Sequence, residues 1–365
     1  MDHEKEQVIK ECRHEISEID REILTLVKKR EQLSLKIGHA KRDLHIPDRD
    51  FDREKIVFKQ AIEVADELGL KTSFATALQT LIIQYSLSRQ EKDRIKNSFA
   101  QKKRSVLIIG GAGRLGQWLC RFFSDSGHDI SVVDLKHPNF SCPYRDHLEQ
   151  SDDQHDIIVV ATPIRVSVDM LKRILELKLN NPIIFDVSSV KTPVQGVLEE
   201  LKENGFKVTS LHPMFGPTVE LLFGKQVIRT SLNVKEADSL VDELFCATSL
   251  QVVDMSMDEH DSVIAVLLSL SHVINLIFVG ALQKSRFPID YLEKLSSPTF
   301  LGLLSIARNV FKENPHLYYE IQALNPHTSD MQQHLLSSLE DMMRATADLD
   351  EEGFVDMMKR GESYL

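Results

Sequence analysis

The sequence predicts a multidomain protein: an all-α N-terminal domain, an α/β domain built on a parallel sheet, and an all-α C-terminal domain. Three observations carry this. Residues 5–100 are rich in helix formers at 3.6-residue spacing, and Pro47 is their only proline. From Ser105 the pattern changes to short β-rich runs (SVLIIG, DISVVD, DIIVVATP, NPIIFDVSS, FKVTSLHP, QVIRTS, LQVVDM) separated by amphipathic segments, the alternation that builds parallel sheets. Beyond about Asp254 the strands stop, and long apolar-periodic stretches such as DSVIAVLLSLSHVINLIFVGALQ return the chain to helix with apolar surface to spare. The expected boundaries are 1–95 for the first domain, 96–104 for a linker, 105–254 for the α/β domain and 255–365 for the last.

The bulk properties narrow the function classes. A net charge of −11 argues against nucleic-acid binding, which needs a basic surface to neutralise phosphates. The four cysteines, Cys12, Cys120, Cys142 and Cys246, are scattered, so neither a disulfide framework nor a metal site is expected. The N-terminus MDHEKEQVIKE is charged where a signal peptide would be apolar, and no apolar run of membrane-spanning length stands out. A soluble, cytoplasmic protein without membrane or nucleic-acid partners is the expectation.

In the first domain, with Arg30 as the origin of a helical wheel, Ile19, Ile23, Leu26, Ile37 and Lys41 fall within about 40° of it. Two cations therefore sit inside an apolar stripe. Burying a lone charge costs several kcal/mol, so an acidic protein partner or an anionic ligand should meet them, with a structural ion pair as the competing reading. Arg30 and Lys41 are roughly 16 Å apart along the helix, a gap that long side chains could narrow to the ends of a small dianion. Arg13 lies about 25 Å from Arg30 and about 100° round the helix, so within one chain it cannot share that pocket. If it serves an anion, it serves a partner's, which predicts an intertwined helical dimer. The stretch RQEKDRIKNSFAQKKR, Arg89–Arg104, carries seven Lys/Arg against two acids and reads as a helix end running into a solvated linker.

The α/β domain opens with GGAGRLG. The spacing Gly111-x-Gly113-x-x-Gly116 follows a strand and opens a helix, where a tight turn, close approach to a pyrophosphate and helix–sheet contact each call for glycine. Asp134 closes the next strand, 18 residues after Gly116, placed to accept from an adenosine ribose. No arginine immediately follows it, which favours NAD over NADP. This is a Rossmann-like NAD-binding pattern. SLHPMFGP then sets His212 at the carboxyl end of another strand, where ligands of open α/β sheets bind, and a neutral imidazole there could take a proton from a substrate hydroxyl as hydride leaves. Taken alone it is equally a surface loop histidine. DVSSVK could bring Ser189 and Lys191 to the same crevice, although alone it is turn chemistry.

GGAGRLG, ATPI, DVSSVK, LHPMFGP, the EHD at Glu259–Asp261 and the SSP at Ser296–Pro298 occur in an order that resembles the prephenate dehydrogenases of tyrosine biosynthesis, from Ser105 almost to the C-terminus. The resemblance implies NAD-dependent oxidative decarboxylation of prephenate to 4-hydroxyphenylpyruvate and a C-terminal dimerisation domain. It implies NAD contacts from Gly111, Gly113, Arg114, Leu115, Gly116, Asp134, Thr162 and Pro163, with His212 as the catalytic histidine. His272 matches a family histidine near the substrate side chain and the site where L-tyrosine competes; a satisfied histidine inside a dimer helix is the alternative. One position departs from the pattern. Where the family has an arginine for a substrate carboxylate, this chain has Asn309, leaving Arg308, Lys191 or Arg286 to supply the cation.

Residues 8–92 resemble the all-helical class of chorismate mutase, through RHEISEIDREILTLVKKREQLSLKIGHAK, DRDFDREK and LIIQYSLSRQ. That resemblance implies that Arg13, from the other protomer, and Arg30 bind the two carboxylates of chorismate. Lys41 and Gln90 would donate to the ether oxygen, Glu54 and Asp50 would handle the ring hydroxyl, and Arg53 and Ser86 would support them. The rearrangement to prephenate is pericyclic and needs no nucleophile, general base or metal. Joined in this order, the halves resemble the bifunctional chorismate mutase/prephenate dehydrogenases, the T-protein family, which implies a homodimer with L-tyrosine as feedback inhibitor. The competing expectations are a dehydrogenase whose helices only dimerise, a generic hydroxyacid dehydrogenase, and a mutase whose dehydrogenase half has decayed into a tyrosine-binding module.

Overall fold

A computed structural model describes residues 2–44, 46, 49–98, 103–150 and 154–365. Its N-terminal part is three helices, α1 (Asp2–Asp43), α2 (Phe51–Glu67) and α3 (Thr72–Ser98), with α1 and α2 both packed along α3. The only proline of the segment, Pro47, lies outside the described residues. Asp50 starts α2 by accepting from the Arg53 amide at 2.9 Å, a cap that contributes about 1 kcal/mol. The first half of α1 projects from the bundle and leaves Ile9, Ile16, Ile19, Ile23 and Leu26 exposed. Most of the predicted apolar stripe is therefore uncovered within one chain.

The α/β domain is an eight-stranded sheet of order β3-β2-β1-β4-β5-β6-β7-β8. Its strands are β1 (Ser105–Ile109), β2 (Asp129–Val133), β3 (Tyr144–Arg145), β4 (Ile157–Val160), β5 (Ile183–Asp186), β6 (Lys207–Pro213), β7 (Gln226–Arg229) and β8 (Gln251–Asp254). Seven of these coincide with the expected runs. The two-residue β3 was missed because NFSCPYRDH has no apolar alternation to reveal it. The expectation of a parallel sheet needs one correction: β6 and β7 pair antiparallel. The connection between them contains no helix, and a parallel return requires a crossover that usually is one.

Alternating side chains of β1 feed two cores. Val106 and Ile108 meet α4 (Arg114–Asp125) through Trp118, Phe122 and Phe123. Leu107 and Ile109 meet α5 (Ile164–Glu176) and α6 (Thr192–Glu203) through Leu171, Ile174, Leu198 and Leu201. The seventh helix, α7 (Lys235–Cys246), adds Leu240, Val241 and Leu244 to the first core. Ile95, at the end of α3, belongs to that core too.

This corrects the reading of Arg89–Arg104 as a solvated tail. Gln90, Glu91 and Ile95 are buried, and Arg94 donates to the Ala247 carbonyl at 2.6 Å and to Ser249 Oγ at 2.9 Å. The charge run hid an inward face, because its basic residues fall between the buried positions. Residues 99–102 of the expected linker lie outside the described residues.

The C-terminal domain is α8 (Met257–Ile264), a π-helical segment at 265–270, α9 (Ser271–Lys284), α10 (Ile289–Lys294), α11 (Pro298–Val310), α12 (Pro315–Leu324), α13 (Thr328–Ala347) and α14 (Glu351–Tyr364). On an unbroken α-helix His272 would stand about 120° round from His260. The wider i→i+5 turn between them advances each residue by a smaller angle, so both histidines face inward and are buried. The run 257–284 is also long and apolar enough to cross a membrane by length and composition, contrary to the expectation that no such run exists. Its inward side carries His260, Asp261, Ser269, His272 and Asn275, all buried in the protein.

Candidate active sites

The first site lies between α1 and α3. Arg30 donates to Ser86 Oγ and to the Ile82 carbonyl at 3.3 Å, and burial lowers its pKa. Gln90 is buried and donates to the Ser34 carbonyl at 2.6 Å. It reaches α1 because Gly38 stands opposite, where an added Cβ would sit 3.2 Å from Gln90 Cγ. Lys41 is half-buried further along α1. Four of the residues implied by the helical resemblance, Arg30, Lys41, Ser86 and Gln90, thus line one seam between two helices.

Glu54 stands in the first turn of α2, held by both forks of Arg49 at 2.8 and 2.9 Å. Asp50 is occupied as the helix cap and exposed, Arg53 is exposed, and Arg13 is exposed on the projecting half of α1, so one chain does not assemble these around Arg30. Sequence reasoning missed Glu31. Its carboxylate is 1 % exposed and accepts from Lys28, Tyr85 and Arg89; the Lys28 hydrogen bond leads in holding it below the ordinary carboxylate range. It sits beside Arg30 in the chain and ties α1 to α3.

The glycine turn of the second site fits a dinucleotide by its exclusions. A Cβ on Gly111 would lie 2.6 Å from a Val132 methyl, one on Gly113 would lie 3.2 Å from the Gly110 carbonyl, and one on Gly116 would overlap that carbonyl oxygen. Gly110, which the motif spacing did not single out, is left-handed at φ +87°, and a Cβ there would press on Ala161. The turn therefore lies bare against the β4 end that carries Thr162 and Pro163. Asp134 accepts from the Ala112 and Lys136 amides at 2.9 and 3.0 Å, bracing the turn, and each oxygen keeps a lone pair for a ribose hydroxyl. Leu115 packs on the core, while Arg114 pairs with Glu313 across to the C-terminal domain.

At the carboxyl end of β6 three buried side chains form a line. Asp261 Oδ1 is 2.7 Å from His260 Nδ1, and His260 Nε2 is 2.9 Å from His212 Nδ1. Burial alone would push Asp261 up, but hydrogen bonds from His260, Lys191 and Thr192 hold it below the usual range, so it is an ionised acceptor. That fixes the tautomers: His260 donates from Nδ1, its bare Nε2 accepts from His212 Nδ1, and His212 Nε2 is left with a lone pair. Burial above all, with the Lys191 cation nearby, keeps the His212 pKa well below 6.5. The signal for His260 and Asp261 was present in EHD, but sequence gave them no role.

Two substrate-binding expectations are corrected. Lys191 is fully buried and spent on the Leu211 carbonyl at 2.7 Å and Asp186 at 3.4 Å, so it braces the β5–β6 crevice from beneath. Arg308 is bound bidentately by Glu293 at 2.8 Å on an exposed face and lines a cavity with Leu282, Phe287 and Phe311, away from His212. Ser189 is half-buried on the β5–α6 loop, the same sheet end as His212. His272 stacks on Tyr318 with ring centroids 3.9 Å apart, and burial brings its pKa down to about 4. Its buried Nδ1 has no hydrogen-bond partner among the described residues.

Three family models match in series: chorismate mutase type II over residues 12–91, the prephenate dehydrogenase nucleotide-binding domain over 141–245, and the prephenate dehydrogenase dimerization domain over 256–360. The T-protein of Haemophilus influenzae is 23% identical over 98% of this chain and 93% of its own length. The chain belongs to the bifunctional chorismate mutase/prephenate dehydrogenase family. A second T-protein, from Enterobacter agglomerans, is 25% identical over 85% of the chain and 80% of its length. A probable arogenate/prephenate dehydrogenase of Methanocaldococcus jannaschii is 23% identical over 72% of the chain, which spans 61% of that protein.

Among solved structures, prephenate dehydrogenase from A. aeolicus, crystallised with hydroxyphenyl propionate and NAD+, shares the fold with a TM-score of 0.57 at 20% identity. It covers 73% of this chain and 98% of its own. The family member described here is thus an enzyme with a helical mutase domain, a Rossmann-like NAD-binding domain and a helical C-terminal domain. Nothing favours the reading of a decayed dehydrogenase half.

Proposed function

We propose that this chain carries out two consecutive steps of tyrosine biosynthesis, chorismate to prephenate at the α1–α3 seam and prephenate to 4-hydroxyphenylpyruvate at His212. The observation that carries the reading is the Asp261–His260–His212 line, which ends in a proton acceptor at the carboxyl end of the sheet, the end that holds the glycine cradle. Arg30 and Arg13 of the partner subunit hold the chorismate carboxylates; Lys41 and Gln90 donate to the ether oxygen as its bond to carbon breaks. Glu54 accepts from the ring hydroxyl. These groups act by holding the compact conformer and stabilising developing charge.

In the second step His212 Nε2 takes the proton of the ring hydroxyl, and the imidazolium so formed is stabilised through His260 by Asp261. NAD, when bound along Gly111–Gly116 and Asp134, supplies the hydride acceptor. Loss of carbon dioxide and aromatisation drive the step forward. Ser189 lies at the same sheet end for substrate contact. The unpartnered Nδ1 of His272, with the Tyr318 ring, supports recognition of the substrate side chain and of L-tyrosine as a competing ligand. The dimerization-domain match and the exposed apolar faces support a homodimer, and the T-protein relatives support a cytoplasmic location.

The test supplies the full-length protein with chorismate, with and without NAD, and follows chorismate loss and NADH formation. Both should occur with NAD present. His212→Asn should abolish NADH formation and spare chorismate loss; loss of both in a folded variant overturns the assignment of separate sites.

A further inference from the structure

The loop 214–225 leaves the strand that carries His212 and crosses to the mutase domain. Its Leu222 amide donates to Glu91 Oε2 at 2.8 Å, and Glu91 Oε1 accepts from the Ser249 amide at 2.6 Å. Glu91 is 3 % exposed and is the chain neighbour of Gln90. The loop is thereby pinned to α3, and the next residue, Phe223, is delivered to the start of α2. There the Arg49 guanidinium lies 4.1 Å from the Phe223 ring centroid and 4.6 Å from that of Phe51, with the two rings 6.3 Å apart at 62°. Both forks of the same guanidinium hold Glu54.

We infer that Phe223, from the dehydrogenase half, is a positioning residue for the mutase reaction, acting through Arg49 on Glu54. The inference rests on the reading of Glu54 as a chorismate-binding group. An arginine on a short connection has rotamer freedom to lose, and two aromatic faces limit where its planar fork can point. The fork in turn fixes the Glu54 carboxylate, each of whose oxygens keeps a lone pair for the ring hydroxyl. Phe51 is part of α2 itself; Phe223 comes from the other domain, so the α2 end of the mutase site is complete only when the two halves are docked.

The experiment measures mutase and dehydrogenase kinetics of the full-length protein. Phe223→Ala should lower mutase kcat/KM about two- to fivefold, the worth of one exposed cation–π contact. Phe223→Tyr should restore it, and Phe223→Ala should cost nothing further in an Arg49→Ala background. An unchanged mutase in Phe223→Ala, or an equal loss with and without Arg49, overturns the inference. Glu54→Gln separates the two levels: if it leaves the mutase intact, the reading of Glu54 fails; if it cripples the mutase while Phe223→Ala does not, only the role of Phe223 fails.

Discussion

His212, His260 and Asp261 form one hydrogen-bonded unit: each is buried and each fixes the proton of the next. Asp261→Asn exchanges an acceptor for an amide that can donate, which permits the opposite tautomer in both rings and puts a proton on the nitrogen that must be bare. Dehydrogenase kcat should fall about 10²- to 10⁴-fold while mutase activity persists, with NAD titration as the check on folding. The sign of the pH dependence follows from the depressed His212 pKa. The residue works when neutral and stays neutral below pH 6.5, so kcat/KM for prephenate should remain flat through the ordinary histidine range and fall only at more acid pH. An acid limb centred at or above 6.5 would falsify the buried-relay account. His212 was legible in the sequence through LHPMFGP; its orientation was not, because the partners that fix it stand 48 and 49 residues away in the chain.

At the scale of elements, the strands and glycine turn were legible because each depends on neighbours in sequence: period-2 burial, and backbone that must pass where a Cβ cannot. Gly116→Ala tests the second. Its methyl would overlap the Gly110 carbonyl oxygen and lie 2.7 Å from Gly111 Cα, forcing α4 away from the turn. NAD affinity should drop at least about tenfold by fluorescence titration, with chorismate loss unaffected. The antiparallel β7 and the π segment were not legible. The first depends on what a helix-free connection allows, and the second on which packing the buried face of a long helix finds. Lys191 shows the same limit at one residue: a lysine beside a crevice suggests anion binding, yet here it points under the sheet, where Asp186 and a carbonyl satisfy it.

At the scale of the whole molecule, the exposed stripe of α1 is a surface that a single chain leaves open. Arg13 stands on that projecting half, on a different part of the helix from Arg30. If Arg13 of one subunit completes the pocket of the other, mixed dimers of Arg13→Ala and Arg30→Ala proteins contain one intact site. Co-refolding the two inactive variants should recover about a quarter of wild-type mutase activity, while each alone recovers none. Recovery of nothing, in dimers shown to have exchanged, would mean that the site lies within one chain.

The sequence by itself determined the order of the domains, the β-run alternation, the NAD turn and the place of His212 at a strand's carboxyl end, since each is written in local spacing or in a short run of residues. Only the tertiary structure decided that the end of α3 is core, that Lys191 and Arg308 are already engaged, and that Asp261 and His260 stand behind His212. The reason is physical: a charge or a ring acquires its role from whatever the fold brings within about 3 Å of it. Those neighbours come from distant parts of the chain, whose proximity no local pattern encodes.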